Sequence, residues 1–242
     1  MAVVRIGCAG SSIPRAAADS FPSEGSHLER YAAVLNALEI NSSFYRPHQP
    51  AVYARWAASV PQDFRFAVKA PKAMTHERRL RDCAEAMQQF ATQTAGLGGK
   101  LGCVLVQLPP SLVFDAEAAL AYFALARQHF SCMLACEARH PSWFEEPATA
   151  ALTGAGVTRV IADPPKGQPG PHVATTASTY VRLHGSPRIY FSPYEDDFLD
   201  RAATSLAGRV GGGNDAWCIF DNTASGAAVP NAVALAQRLK KV

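Results

Sequence analysis

Short runs rich in β-branched, aromatic and other apolar residues recur eight times along this chain, with Ala-rich stretches of helical spacing between them. Few folds accommodate that alternation. The runs are Val3 to Ala9, Leu38 to Ser42, Phe64 to Lys69, Leu101 to Leu108, Cys132 to Glu137, Val157 to Ala162, Thr179 to His184 and Ala216 to Phe220. The helical stretches are Leu28 to Ala37, Ala51 to Ser59, Asp82 to Ala95, Ala116 to Gln128, Ala148 to Thr153, Asp196 to Ala207 and Ala228 to Lys240. A strand, a crossover helix and another strand impose parallel pairing. Eight such units in 242 residues predict an α/β fold of one domain, a parallel eight-stranded (β/α)8 TIM barrel. The segment DPPKGQPGPHVATTAS (163–178) is too rich in proline and glycine to be helical, so a loop is expected in place of the sixth helix.

Composition narrows the setting. With 48% hydrophobic and 18% charged residues the chain is globular in type and large enough to bury a substantial core. No apolar run approaches the roughly 20 residues that span a bilayer. The opening MAVVRIGCAG lacks the basic segment and long apolar stretch of a signal peptide, so a cytoplasmic location without membrane contact is expected. Cys8, Cys103, Cys132, Cys136 and Cys218 sit within apolar strand-like runs and no C-x-x-C pair occurs, so neither a zinc site nor a disulfide is expected. A net charge of +3 is too small to imply nucleic-acid binding by itself.

The strands of a parallel barrel are normally apolar on both faces, yet here one face is polar. Glu39, Asn41 and Ser43 alternate with Leu38, Ile40 and Ser42, and Arg65, Ala67 and Lys69 alternate with Phe64, Phe66 and Val68. Glu137 and Arg139 share a phase, as do Tyr180, Arg182 and His184, and Gln107 stands near the end of the fourth run. The apolar set must face the helices, so the charged set points inward. Buried charges cost several kcal/mol each unless paired, which predicts carboxylate-to-cation contacts among Glu39, Arg65, Lys69, Glu137 and Arg182. Such a network is either a structural brace or, being concentrated towards the strand ends where barrel enzymes place their catalytic groups, part of a site.

The segments EINSSFYRP (39–47), FRFAVKAPKAMTH (64–76), LGCVLVQLPPS (101–111), CEARHPSWF (136–144), YVRLHGSPRIY (180–190) and FDNTASGAAVPNA (220–232) resemble the successive signatures of the domain-of-unknown-function-72, or YecE-like, family. The resemblance spans nearly the whole chain. It implies a TIM-barrel fold but no general activity, so it supplies no catalytic residues. Two departures from the family pattern are Gly10-Ser11-Ser12, where a Gly-Trp-Ser is common, and Asp221, where an Asn is frequent.

Loops that follow strands form the functional face of such a fold. The Gly-rich segments Gly96 to Gly102 and Gly211 to Gly213 precede strands and so belong to the opposite end. Among the loops on the functional face, Gly185 in one and Asn222, Thr223 and Ser225 in another, just before the last helix, read either as an anion seat or as ordinary turn and cap formers. Lys72, His76, Arg78, Arg79 and Arg81 add positive charge on the same face as Lys69, which for Arg78, Arg79 and Arg81 reads as solvated surface. Tyr45, Trp143 and Tyr190 are among several aromatics in these loops. Together these features point to a small anionic ligand bearing a flat or ring-shaped part.

The first expectation is therefore an enzyme acting on a phosphorylated or carboxylated metabolite by acid–base chemistry without a cofactor. Its catalytic residues would be Glu137, His184 and Lys69, with Lys69 alternatively a Schiff-base former. Glu39, Asn41, Tyr45, Gln107, Arg139, His140, Trp143, Arg182, Gly185, Asn222, Thr223 and Ser225 would bind the substrate. The second is a divalent-metal hydrolase or isomerase, including phosphodiester-cleaving chemistry on nucleic acid, with Glu137, Asp163, His184 and Asp221 as ligands. The third is a non-catalytic binding protein. The sequence leaves the oligomeric state open.

Overall fold

The computed structural model describes residues 3–210 and 214–241, so Gly211 to Gly213 fall outside the described residues. Among the described residues nine parallel strands form: β1 (Val4–Cys8), β2 (Ala37–Ile40), β3 (Arg65–Lys69), β4 (Leu101–Gln107), β5 (Met133–Glu137), β6 (Thr158–Arg159), β7 (Ile161–Asp163), β8 (Thr179–Leu183) and β9 (Ala216–Phe220). They make two sheets, of order β1-β9-β8-β7 and β2-β3-β4-β5-β6. The expected closed eight-stranded (β/α)8 barrel is therefore corrected to two parallel sheets, of four and five strands.

Side chains explain both interruptions of the ladder. Between β1 and β2, Asn36 Oδ1 accepts from the Ile6 amide at 2.7 Å, and its Nδ2 donates to the Val4 carbonyl at 2.9 Å. The Tyr31 hydroxyl accepts from the Cys8 amide at 2.8 Å and donates to the Ala37 carbonyl at 3.0 Å. These backbone groups are thus satisfied without strand pairing, and a single bridge, Ala9 to Glu39, joins the two edges. Gly7 permits the close approach, since a Cβ there would stand 2.1 Å from the Ala37 carbonyl oxygen.

At the second interruption the expected strand Val157 to Ala162 divides. Thr158–Arg159 pairs with β5 and Ile161–Asp163 pairs with β8. Thr175 completes the edge of β6, donating to the Val157 carbonyl at 2.6 Å and accepting from the Arg159 amide at 2.8 Å. Thr175 belongs to the Pro/Gly-rich stretch 164–178, which holds no helix, as its composition predicts.

The helices are α1 (His27–Ala32), α2 (Pro50–Ala58), α3 (Ala84–Thr94), α4 (Ala116–His129), α5 (Glu146–Gly154), α6 (Asp196–Ala207) and α7 (Ala228–Leu239). Local chemistry sets several starts: Ser26 and Glu29 form a capping box on α1, Asp115 caps α4, and proline occupies the first turn of α2 and α5. None of the described helices is long and apolar enough to cross a membrane. Leu38, Ile40, Phe66, Val68, Val104, Val106, Leu134, Leu183 and Phe220 join the larger apolar core with the helices. The opposite strand faces meet between the sheets. There Ala37, Ala67, Cys103, Leu105, Ala135, Tyr180, Trp217 and Ile219 pack into a separate apolar layer, with the Tyr180 and Trp217 rings stacked at 5.8 Å.

Candidate functional site

Above that layer, one step further along the inward phase of each strand, lie Glu39, Lys69, Gln107, Glu137, Arg182 and His184, with Asp221 just past β9. All seven are buried. Period-two alternation places them there, since each stands two residues beyond a member of the apolar layer or of the array itself.

Arg182 is the hub. Its Nε and Nη2 lie 3.1 and 2.7 Å from the two oxygens of Glu39, its Nη1 lies 2.5 Å from Glu137 Oε2, and Nη2 also reaches Asp221 Oδ2 at 3.0 Å. The Tyr180 hydroxyl donates to Glu39 Oε2 at 2.9 Å. Glu137 Oε1 gathers Gln107 Nε2 at 3.0 Å and Arg139 Nη2 at 2.7 Å. Burial alone would raise the Glu137 carboxyl, but Arg182, with help from His184 and Arg139, outweighs it and holds it well below the usual carboxylate range.

His184 bridges Asp221 and Glu137. Its Nδ1 is 3.0 Å from Asp221 Oδ2, whereas its Nε2 is 3.2 Å from Glu137 Oε1 but too poorly aligned for a hydrogen bond. Burial pushes the imidazole down; the Asp221 hydrogen bond and Glu137 more than reverse this and raise it above its ordinary value. The three carboxylates thus face Arg182, Arg139 and His184.

Lys69 is left over. Among the described residues its Nζ forms no ion pair or hydrogen bond, and it rests 4.2 Å from the centre of the Phe44 ring. Burial first, and Arg182 second, lower its pKa to about 8 against the opposing pull of the carboxylates. Arg65, expected in the network, lies at the other end of β3 and donates to the carbonyls of Gln62 and Phe64.

A pocket of about 220 Å³ opens beside the array, lined by Glu137, Arg139, Lys166, His184 and Tyr190 together with Ala138, Ala162, Pro164 and Ile189. Two of these residues had only weak signals in sequence. Lys166 lies in the Pro/Gly-rich loop, which crowds the main chain at Arg139: a Cβ on Gly167 would meet the Arg139 carbonyl oxygen at 2.2 Å. Tyr190, noted only as one loop aromatic, has φ +70° and its ring stands edge-on to His184 at 5.8 Å.

Other sequence candidates serve different ends. Tyr45 is 77% exposed and packs against Phe44 rather than the array. His140 caps the turn Pro141–Phe144, and the buried Trp143 donates its indole N–H to the Leu112 carbonyl at 2.9 Å. Asn41, two residues beyond Glu39, keeps its Oδ1 buried without a hydrogen-bond partner among the described residues.

The expected anion seat is not left open. The amides of Ala224, Gly226 and Ala228 already bond the carbonyls of Tyr190, Thr223 and Asn222. Asn222 Nδ2 donates to the Ser192 carbonyl and Ser225 Oγ to the Phe191 carbonyl, while Thr223 is exposed. The Gly185 amide donates to Tyr194, whose hydroxyl in turn donates to Asp163. These residues secure the loop 185–194 over the pocket. The alternative metal set is likewise engaged within the protein: Glu137 and Asp221 hold Arg182, and Asp163 is engaged by Tyr194. Among the described residues no group of three or more His, Cys, Asp or Glu side chains is placed to hold a metal ion.

Several known proteins are similar to this chain. A DUF72 family protein from Enterococcus faecalis V583 superimposes with a TM-score of 0.81 at 21% identity, covering 98% of this chain and 95% of that one. A DUF72 family protein from Thermotoga maritima MSB8 superimposes with a TM-score of 0.80 at 26% identity, covering 99% and 100%. UPF0759 protein YecE of Escherichia coli K12 is 33% identical over 141 residues, 56% of this chain and 52% of that protein. UPF0759 protein YunF of Bacillus subtilis 168 is 27% identical over 175 residues, 65% and 61% respectively. The chain thus spans about half the length of the YecE relative it matches. The profile described as "Protein of unknown function DUF72" matches residues 5–242, and the chain belongs to that family.

Proposed function

We propose that this protein is an enzyme that takes a small phosphorylated or carboxylated metabolite into the pocket beside Glu137 and moves a proton through His184. The observation that carries this reading is the surplus cation. Arg182, Arg139 and Lys69 stand against Glu39, Glu137 and Asp221, with Lys69 in no ion pair of its own among the described residues, so protonation of His184 leaves the array one positive charge in surplus. A bound anion supplies the missing charge, and Lys166 at the pocket wall adds to the attraction.

Roles follow from the contacts. Glu137 is held ionised by Arg182 and Arg139, so it orients His184 and steadies its charge rather than exchanging a proton. His184 lines the pocket and has a raised pKa, which suits a general acid. The fully buried Glu39, Tyr180 and Arg182 brace the assembly from below.

The test is a thermal-shift and calorimetric screen of phosphorylated and carboxylated metabolites, each paired with a neutral analogue. The expected outcome is stabilisation by an anion but not by its neutral counterpart. Arg139→Ala should weaken binding roughly ten- to a hundredfold, the size of a lost charged hydrogen bond. His184→Gln should keep binding and lose turnover. Equal binding of neutral analogues, or no response to any anion, contradicts the proposal.

A further inference from the structure

We infer that the substrate of this site is a carboxylate carried on a compact, flat apolar body, an aromatic or similarly planar acid, rather than a sugar phosphate. This rests on the anion-binding reading above and names its substrate class. The charges of the pocket gather round one carboxylate, since Arg139 and His184 both approach Glu137 Oε1, at 2.7 and 3.2 Å. The rest of the lining is of another kind. Ala138, Ala162, Pro164 and Ile189 bring side chains without a single hydrogen-bonding group. A polyol laid against them gives up hydrogen bonds to water that these side chains do not replace, whereas an apolar ring gives up none. The volume agrees: a cavity of about 150 Å³ holds benzene, and the 220 Å³ here admits a six-membered ring together with its carboxylate.

Two further observations point the same way. Phosphate groups are commonly seated on main-chain amides at loops and helix N-termini, and here the amides of Gly185, Ala224, Gly226 and Ala228 are already bonded within the protein. The pocket offers an anion side-chain charge instead, from Arg139 and Lys166. The second observation is the loop 185–194. Asn222, Ser225 and Tyr194 fasten it, yet it leaves Ile189 and Tyr190 38% and 39% exposed at the pocket. Tyr190 holds φ +70°, a left-handed conformation that is costly for a residue with a Cβ. A fastened, strained loop that keeps two large apolar side chains in water beside an ionised cluster is suited to seating the apolar body of a ligand. The Tyr190 ring stands edge-on to His184 at 5.8 Å, so a ring seated there lies next to the proposed acid.

The experiment titrates the full chain with benzoate, benzyl alcohol, ribose 5-phosphate and inorganic phosphate by calorimetry, and follows the His184 ring by NMR in the same titrations. The expected result is that benzoate binds at least tenfold tighter than each of the other three probes and shifts the His184 signals. Ile189→Ser, a change at a partly exposed position, should weaken benzoate at least threefold; the wild-type NMR shift reads the same contact without any variant. A phosphate probe that binds as tightly as benzoate or more so overturns the inference and leaves the anion-binding reading standing. Benzoate binding that leaves the His184 ring unshifted, or that Ile189→Ser does not alter, also overturns it, because the ligand then sits elsewhere. Benzyl alcohol binding as well as benzoate, or no response to any probe, removes the anion-binding reading with it.

Discussion

The lower and upper parts of the charged array both stand on the inward phase of the strands yet are satisfied differently. Below, Glu39 accepts two bonds from Arg182 and one from Tyr180, and none of the three side chains is exposed. Above, His184 leaves Nε2 without an aligned acceptor, Asn41 leaves Oδ1 unpaired and Lys69 has no counter-ion. A fully paired buried charge braces a fold, whereas an incompletely paired one costs stability that a ligand can return. The division between the tiers marks where the proposed site begins.

The largest effect should come from the hub. Arg182→Met leaves Glu39, Glu137 and Asp221 facing one another without their shared cation, and urea denaturation should show a loss of about 3–5 kcal/mol. A loss under 1 kcal/mol would dissolve the distinction between the tiers.

Lys69→Met should act with the opposite sign. The folded pKa of about 8 lies below the unfolded value near 10.4, so at pH 7 the protonated amine is held against its preference. Removing it should stabilise the fold by about 1–3 kcal/mol at pH 7. The unfolded chain binds more protons between roughly pH 8 and 10.4, so wild-type stability rises through that window and the advantage of the variant disappears above it.

Tyr180→Phe removes one of three donors to Glu39 and should cost about 1–2 kcal/mol, read from the same denaturation curves. The smallest effect concerns His184. Its raised pKa adds stability below the unfolded value near 6.5, and this is lost as pH rises through the folded pKa. The stability gap between wild type and His184→Gln should therefore narrow from pH 6 to pH 9; a constant gap would mean that the imidazole does not titrate with folding.

Much of the array was legible because a strand has a period of two. Charged residues in phase with one another, such as Glu137 with Arg139 and Arg182 with His184, had to share a face once the alternate positions were apolar. The helix-free stretch 164–178 was equally legible from its prolines and glycines. The division into two sheets was not. It arises because Asn36, Tyr31 and Thr175 satisfy strand edges through side chains, which depends on contacts between distant parts of the chain. Small polar residues at 222–226 gave the same signal for an anion seat and for a loop anchor, and their bonds to the 185–194 segment decided it. Pairing within the array was also beyond reach: Lys69 and Arg65 both read as network members, yet one stands alone and the other turns away.

The most direct test of this account is to denature Arg182→Met and Lys69→Met in urea at pH 7 beside the wild type. The account predicts shifts of opposite sign, with Arg182→Met less stable and Lys69→Met more stable. Destabilisation of both by similar amounts would show Lys69 to be one more structural cation and would contradict the unpaired amine on which the proposed chemistry stands.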